Sequence, residues 1–293
     1  MTRSPVLNSI LMGIYLSFVL LVTWLIYHKL IPSIITTNKT VILTTIPSQS
    51  AVFNKLVYPE FKVHPIFDSV LDEALSEKDK ALIKRTRLFV LDGQFPIESG
   101  LQNNLLAINP ELTIINASKY FSANQLQYMD PQDPSSGINY YSFLDPSLLS
   151  KEVYIISDTI KSLYTDMEKG SSLSSNADSL FFSLQELDRD LKTRFSTQGH
   201  KTTIITFTPF LSYFSNRYGL NEEILSISSF STMLNKPAPE HSVLIIRPEE
   251  NINRIRELAK ARRIPLIIFD PIHIDNYENE LKDLAKKIIH KSR

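Results

Sequence analysis

The sequence predicts an α/β protein with two Rossmann-like lobes that are bridged by a long helix and preceded by an N-terminal transmembrane helix. Three observations support this prediction. The chain begins with a charge-free apolar run, strand-like and helix-like segments alternate on both sides of its middle, and a long leucine-spaced helical pattern separates the two halves. With 293 residues and roughly 150 residues per domain, about two domains are expected.

The composition excludes several classes of protein. Lys and Arg together number 31 and so do Asp and Glu, so the formal net charge is zero and a nucleic-acid partner is not expected. There is no cysteine, which excludes a disulfide scaffold, a zinc finger, an iron–sulfur site and a cysteine nucleophile. No glycine-rich phosphate-binding motif occurs among the 7 glycines.

The N-terminal apolar run extends from Ile10 to Tyr27 and is flanked by Arg3 and Lys29. At 1.5 Å per residue it nearly crosses a hydrocarbon core of about 30 Å. A cleaved signal peptide would need a small-residue cleavage site, which is not visible. A buried core helix is the less favoured alternative, because the segment is apolar on every face and lies near the N-terminus. We therefore expect residues 1–38 to form a membrane anchor and tether that hold the lobes on the extracytoplasmic side.

The N-terminal lobe is expected at 39–172. Its apolar, β-branched runs predict four strands, and periodic patterns between them predict helices. The strands are expected at 39–46, 60–67, 87–93 and 112–117, and the helices at 48–57, 68–85, 99–109 and 146–168. A segment rich in Asp, Pro, Ser and Gly predicts a loop at 122–139.

The interlobe helix is expected at 173–197 and the C-terminal lobe at 198–293. Leucines at helical spacing predict the helix over 176–194, and Ser171 to Ala177 are expected to interrupt the pattern before it. The C-terminal strands are expected at 202–207, 224–228, 242–248 and 265–271, and its helices at 209–220, 249–263 and 276–291. Gly219 is expected to end the first of these helices.

Several sequence blocks then resemble one known family. NYYSFLDP (139–146) resembles an Asn-Pro-His-x-Trp-Leu-Asp-Pro signature, VHPIFDSVLD (63–72) resembles a His-x-x-Glu-Pro stretch that closes with Asp, and PFLSYFSNRYGL (209–220) resembles a Tyr-Gly-Leu block. They occur in the family's order over residues 39–293. The chain thus resembles the metal-specific solute-binding proteins of zinc and manganese ABC importers.

The resemblance implies a fold and a ligand. Family members have two α/β lobes joined by one rigid helix, and they bind one Zn²⁺ or Mn²⁺ between the lobes with four side chains from four loops. The family's ligand positions fall here on His64, Tyr141, Thr208 and Asp270. An ABC permease and a divalent ion are the implied partners.

Only two of these four residues are good metal ligands. His64 and Asp270 offer an imidazole nitrogen and a carboxylate, whereas a neutral phenol and a threonine hydroxyl are poor donors to a transition metal. His273 and Glu98 lie close enough in sequence to be considered as further donors. Without the family, a histidine at a strand end is more often hydrogen-bonded than ligating, and Asp-Pro after a strand is often only a turn.

Three functional hypotheses follow. The first is a membrane-tethered receptor that captures a divalent metal and delivers it to an ABC permease. The second is a family member that has lost the metal and acts as a scaffold or binds another ligand. The third is an enzyme, but no G-x-S-x-G or H-E-x-x-H motif occurs and the 6 histidines are scattered. The first hypothesis is preferred because the two-lobe pattern is retained, and no catalysis is expected.

Overall fold

A computed structural model describes residues 17, 19, 24, 40–69, 74–130, 133–164, 167–232 and 238–292. The chain divides into two compact units, residues 1–40 and residues 41–293. The expected anchor helix over 10–27 lies outside the described residues, apart from Ser17, Val19 and Trp24. Among the residues that are described, no helix has the length and apolar character needed to cross a membrane.

The described residues from 40 to 292 contain ten strands and nine α-helices. The strands are β1 Thr40–Thr44, β2 Phe61–Pro65, β3 Leu88–Leu91, β4 Thr113–Asn116, β5 Tyr128–Asp130, β6 Asp133–Ile138, β7 Thr203–Thr206, β8 Asn221–Ile224, β9 Ser242–Ile246 and β10 Leu266–Ile268. The helices are α1 Pro47–Val57, α2 Glu77–Ile83, α3 Leu101–Ile108, α4 Pro146–Leu163, α5 Met167–Ser196, α6 Ser212–Arg217, α7 Ile227–Thr232, α8 Ile252–Ala261 and α9 Tyr277–Lys291.

Two parallel four-stranded sheets form the frame. The first sheet has the order β2-β1-β3-β4 and the second has the order β10-β9-β7-β8. Their central strands β3, β7 and β9 are buried at every position, which is typical of parallel strands covered by helices on both faces. The α/β class with parallel sheets is therefore confirmed, and the apolar strand runs were the right signal for it.

The long helix α5 lies between the two sheets in the sequence. At 1.5 Å per residue its 30 residues span about 45 Å. One continuous apolar stripe keeps it packed against the core. That stripe is formed by Leu173, Ala177, Leu180, Leu184, Leu187, Leu191 and Phe195, all of them buried. The expected interlobe helix at 173–197 therefore corresponds to a longer helix, while the lobe boundaries at 39–172 and 198–293 stay a prediction.

Two helix boundaries differ from the sequence-based expectation. The segment from Ser171 to Ala177 does not interrupt the long helix, because Leu173 and Ala177 are buried and packing outweighs the low helix propensity of its serines. The helix expected over 68–85 begins only at Glu77. A capping box between Ser76 and Asp79 fixes that start, since each side chain accepts a bond from the other's backbone amide.

Three further segments are corrected. The strand expected at 224–228 is displaced to β8, which pairs with β7, and the Ser226 hydroxyl accepts from Ser229 N where helix α7 begins. The loop expected at 122–139 contains the antiparallel pair β5–β6. The sequence did not predict these strands, because Pro, Ser and Gly are typical of loops. The helix expected over 209–220 is only Ser212–Arg217, and Gly219, at φ 68°, follows its end as predicted.

Several polar contacts join the two halves of the second unit. Ser48, at the start of α1, donates to the backbone oxygen of Ile272 beyond β10, and the Tyr277 hydroxyl donates to Phe143 O. The Arg217 guanidinium donates two bonds to Asp188 on the long helix, and its Nε lies 3.6 Å from the carboxylate of Asp145, which caps α4. These bonds join segments that precede the long helix to segments that follow it, and Arg217 is bonded to the long helix itself.

Three carboxyl groups are buried behind β3. Asp92, Glu98 and Glu152 are all at most 7% exposed. Burial raises the pKa of Glu98, although three backbone amides and the Thr45 hydroxyl donate to its carboxylate. Burial, together with the charge of Glu98, raises the pKa of Glu152 to about 8. Glu152 therefore keeps its proton in the folded protein at pH values where an exposed glutamate has lost it.

We predict that this buried carboxyl makes the protein less stable as the pH rises. Below pH 4.5, the ordinary pKa, Glu152 is protonated in both states, and its contribution is fully present. Between there and about pH 8 only the unfolded state loses the proton, so stability falls. The melting temperature of Glu152→Gln should therefore depend less on pH over this window than that of the wild type.

The matched control is Glu186→Gln, because Glu186 is an exposed glutamate on the long helix. Its melting temperatures should follow those of the wild type. Circular dichroism melts at several pH values would measure all three proteins. An unchanged slope in Glu152→Gln would show that this carboxyl is not the source of the pH dependence.

Candidate functional site

Three residues of the candidate site follow strands at the carboxyl edge of the second sheet. Two of them were predicted from the sequence, and the third was not. Thr208 follows β7, Arg247 follows β9 directly, and Asp270 follows β10. Because β9 lies between β10 and β7, Arg247 leaves the sheet between the strands that lead to Asp270 and Thr208. This edge is where open α/β sheets usually bind their ligands.

Tyr141 reaches this edge from a segment that precedes the long helix in the sequence. It stands at the start of a short 3₁₀ turn, Ser142–Leu144, that follows β6. Asn139, which is fully buried, positions it: the Asn139 side chain accepts from Tyr141 N at 3.0 Å and donates to Pro209 O at 2.6 Å. Asn139 therefore ties the loop of Tyr141 to the segment that follows Thr208.

Arg247 is the direct partner of Tyr141. Its Nη1 donates to the Tyr141 hydroxyl at 2.9 Å and lies 2.7 Å from Glu249 Oε1. Its Nε lies 3.5 Å from Glu250 Oε1, and its guanidinium carbon lies 6.0 Å from the Phe210 ring centroid. The side chain is only 14% exposed, so the guanidinium fills part of the space between Tyr141 and the second sheet.

Tyr141 is a neutral phenol in an aromatic setting. It is 1% exposed and packs near Tyr140, Phe143 and Phe210, with ring centroids 4.6 to 6.0 Å away. Burial raises its pKa well above the ordinary value of 10, and the neighbouring Arg247 offsets only part of that effect. Tyr141 therefore accepts a hydrogen bond from a cation and does not act as an anionic ligand.

Thr208 is partly buried and directly precedes Pro209, whose backbone oxygen accepts from Asn139. Among the described residues its hydroxyl oxygen has no hydrogen-bond partner, although that atom is buried. A buried hydroxyl without a partner costs free energy, so such a group is often found where a ligand or water is bound. Thr208 thus leaves one unused oxygen at the carboxyl edge of β7.

His64 lies in β2, at the outer edge of the first sheet, and is partly buried. Burial is the main cause that lowers its pKa, and the positive charge of Lys78 lowers it further. Asp79 and Asp68 act in the opposite direction. All of these charges belong to residues 62–79, so the field at His64 is set by its own strand and the segment after it.

Asp270 is already engaged by its own turn. One carboxylate oxygen accepts from the backbone amides of Ile272 and His273 at 3.0 and 3.2 Å. The other lies 2.8 Å from His273 Nδ1. Asp270 is about one-third exposed and His273 about half exposed. These hydrogen bonds are those of a turn, which is the alternative that the sequence offered for Asp270-Pro271.

Of the four predicted positions, the structure links the loop of Tyr141 to the segment of Thr208. Tyr141 and the segment after Thr208 are linked through Asn139 and Pro209, and Arg247 lies beside them. The contacts of His64 and Asp270 are with their own neighbours. Within the part of the chain that is described, no group of three or more His, Asp or Glu side chains is placed to hold a metal ion.

Glu98 has a supporting position in the first sheet. Its carboxylate accepts from the amides of Asp92, Gly93 and Phe95, and so it fixes the turn after β3. Gly93 adopts φ 84° there, and a Cβ at this position would lie 1.8 Å from the Asn116 side chain. Ser142, next to Tyr141, lies against this turn, with its hydroxyl 3.5 Å from Asp92 Oδ1. Glu98 therefore supports the Tyr141 turn indirectly, through Asp92 and Ser142.

Arg247 is the residue that sequence reasoning missed. The sequence did carry a signal for it, because Arg247 directly follows the buried apolar run Ser242–Ile246. A charged residue at the carboxyl end of a central parallel strand lies at the ligand-binding edge of the sheet. Its partner Tyr141 is 106 residues away in the sequence, which local patterns do not reveal.

The comparisons with known proteins agree with this frame. The family model described as zinc-uptake complex component A, periplasmic, matches residues 44–289. No curated protein matches the chain. A zinc-bound deletion mutant of ZnuA has a TM-score of 0.75 at 16% identity, with 87% of this chain and 98% of that chain covered.

Two further solved structures show the same likeness. The periplasmic zinc-binding protein TroA from Treponema pallidum has a TM-score of 0.72 at 14% identity, and the match covers 87% of this chain and 99% of that one. A zinc-bound variant of AdcAII from Streptococcus pneumoniae has a TM-score of 0.68 at 20% identity, with 86% and 99% covered. At these identities the likeness concerns the fold.

The family model extends from the end of β1 to the last turn of α9, and so includes both sheets, the long helix and the loops that carry His64, Tyr141, Thr208 and Asp270. The chain therefore belongs to the family of periplasmic A components of zinc-uptake complexes, the solute-binding proteins of metal import.

Proposed function

We propose that the chain is the extracytoplasmic receptor of an ABC import system for a divalent metal, Zn²⁺ or Mn²⁺, which it delivers to a permease. The proposal is supported by the family to which the chain belongs and by the way in which segments far apart in the sequence meet at the carboxyl edge of the second sheet, where such sheets bind ligands. There the loop of Tyr141 is bonded to Arg247 and, through Asn139, to Pro209. The family to which the chain belongs is one of transport components, and we propose no catalytic role.

In this proposal His64 and Asp270 supply the strongest contacts to the metal. An imidazole nitrogen and a carboxylate oxygen suit both Zn²⁺ and Mn²⁺. To reach the metal, Asp270 would exchange one of its bonds to His273, which is itself a possible third donor. Tyr141 and Thr208 add weak donors at most. Binding is therefore expected to be weaker than at a site with four good protein ligands.

A second candidate function is favoured by Arg247. A permanently charged guanidinium already donates to the Tyr141 hydroxyl, and no three-membered His, Asp or Glu group that could hold a metal occurs in the described ranges 40–69, 74–130, 133–164, 167–232 and 238–292. A family member without bound metal would then act as a scaffold or bind another ligand in the same import system.

We further propose that residues 1–38 anchor the chain in the membrane and leave 39–172 and 198–293 as the two lobes outside it. The charge-free run from Ile10 to Tyr27 supports this proposal. Intact-mass spectrometry of the protein extracted from membranes should find these residues still attached. A mature N-terminus near residue 30 would show instead that the run is a cleaved signal.

Metal titration tests the proposed receptor role. Full-length protein in detergent should bind Zn²⁺ or Mn²⁺ by isothermal titration calorimetry, and His64→Ala and Asp270→Ala should each weaken binding about tenfold or more, because each removes one of two good donors. Since burial lowers the pKa of His64, affinity should persist down to the usual histidine pKa of 6.5 and fall only in more acidic solution.

His290→Ala is the matched control, because His290 is an exposed histidine near the end of α9. It should bind metal as the wild type does. If His64→Ala and Asp270→Ala bind equally well, these residues do not form the site. If the wild type binds neither metal, the second candidate function replaces the first.

A further inference from the structure

Arg247 places a fixed positive charge at the carboxyl edge of the second sheet. It leaves β9 between the strands that lead to Thr208 and Asp270, and it donates to Tyr141 from the opposite half. It is 14% exposed, and Tyr141 is 1% exposed. A cation that approached the Tyr141 hydroxyl would therefore meet the guanidinium.

The groups around Arg247 are those that would otherwise attract a metal ion. Glu249 pairs with it at 2.7 Å, and Glu250, whose side chain is only 10% exposed, lies 3.5 Å from its Nε. Neither carboxylate oxygen of Glu250 has a hydrogen-bond partner among the described residues. The guanidinium is thus the main source of positive charge beside a largely buried carboxylate.

We propose that Arg247 is a built-in cation that occupies the site in place of a metal ion and so limits its affinity for divalent cations. The proposal rests on the proposed function, because it concerns the same site, and it adds the residue that regulates it. A guanidinium stays charged at every pH at which a protein is folded. A divalent ion can therefore take this position only if Arg247 first leaves Tyr141 and Glu250.

The test removes the positive charge of Arg247. Arg247→Gln keeps a neutral polar side chain at this position but leaves Glu249 and Glu250 without their cation. Titrated calorimetrically with Zn²⁺ alone, the full-length Arg247→Gln protein should bind at least about tenfold more tightly than the wild type, a gain of about 1.4 kcal/mol. Arg247→Met, which also removes the charge, provides a second variant if the glutamine variant does not fold.

Two control variants locate the effect. Arg247→Lys keeps the positive charge and should gain much less affinity than Arg247→Gln. Arg247→Gln combined with Glu250→Gln removes the carboxylate that is left unpaired, and it should lose the gained affinity. This double variant distinguishes a new ion at the vacated position from Zn²⁺ on the scattered surface histidines.

The outcomes separate this inference from the proposed receptor role. Tighter binding by Arg247→Gln supports the inference, and if the wild type then binds no Zn²⁺ or Mn²⁺, the receptor role fails while the inference stands. Equal affinity in wild type and Arg247→Gln, including no binding by either, overturns the inference. So does an equal gain in Arg247→Lys. Even if the inference is overturned in one of these two ways, the receptor role stands as long as the wild type binds metal through His64 and Asp270.

Discussion

The hydrogen bond from Arg247 to Tyr141 determines what the candidate site contains. It crosses from the end of a central strand of the second sheet to a turn that belongs to the other half of the unit. Both side chains are largely buried, and a charged donor in such surroundings makes a stronger hydrogen bond than a neutral one. Because the guanidinium already donates to its hydroxyl, Tyr141, one of the four candidate ligand positions, is engaged by a protein side chain.

The rest of the fold supports that contact from both sides. Glu98 holds the turn after β3 on which Ser142 lies, and Asn139 connects the Tyr141 loop to Pro209. The long helix packs against the core through its buried leucine stripe, and its Asp188 forms an ion pair with Arg217.

The frame could be predicted from the sequence because it depends on local patterns. Runs such as Ser242–Ile246 are apolar at nearly every position, which is the pattern of a parallel strand buried on both faces. Helix boundaries that depend on capping side chains or on packing were harder to predict from the sequence. The start of α2 depends on one pair of side chains, Ser76 and Asp79, and the continuity of α5 depends on the burial of Leu173.

The contents of the site could be predicted only in part. The family resemblance gave Tyr141 and Thr208 as poor donors, but it did not give Arg247 as the partner of Tyr141. That contact depends on how two elements far apart in the sequence meet, which neither periodicity nor residue type encodes. The same holds for Asp270, whose hydrogen bonds to its own turn become evident only when the backbone is placed.

The most direct test of the account is a double-mutant cycle on Arg247 and Tyr141. The free energy of unfolding would be measured by urea denaturation for the wild type, Arg247→Met, Tyr141→Phe and the double variant. A hydrogen bond from a charged donor is worth about 1.5–3 kcal/mol, so the coupling energy should be at least about 1 kcal/mol. Changes that add to within about 0.3 kcal/mol would contradict the central contact.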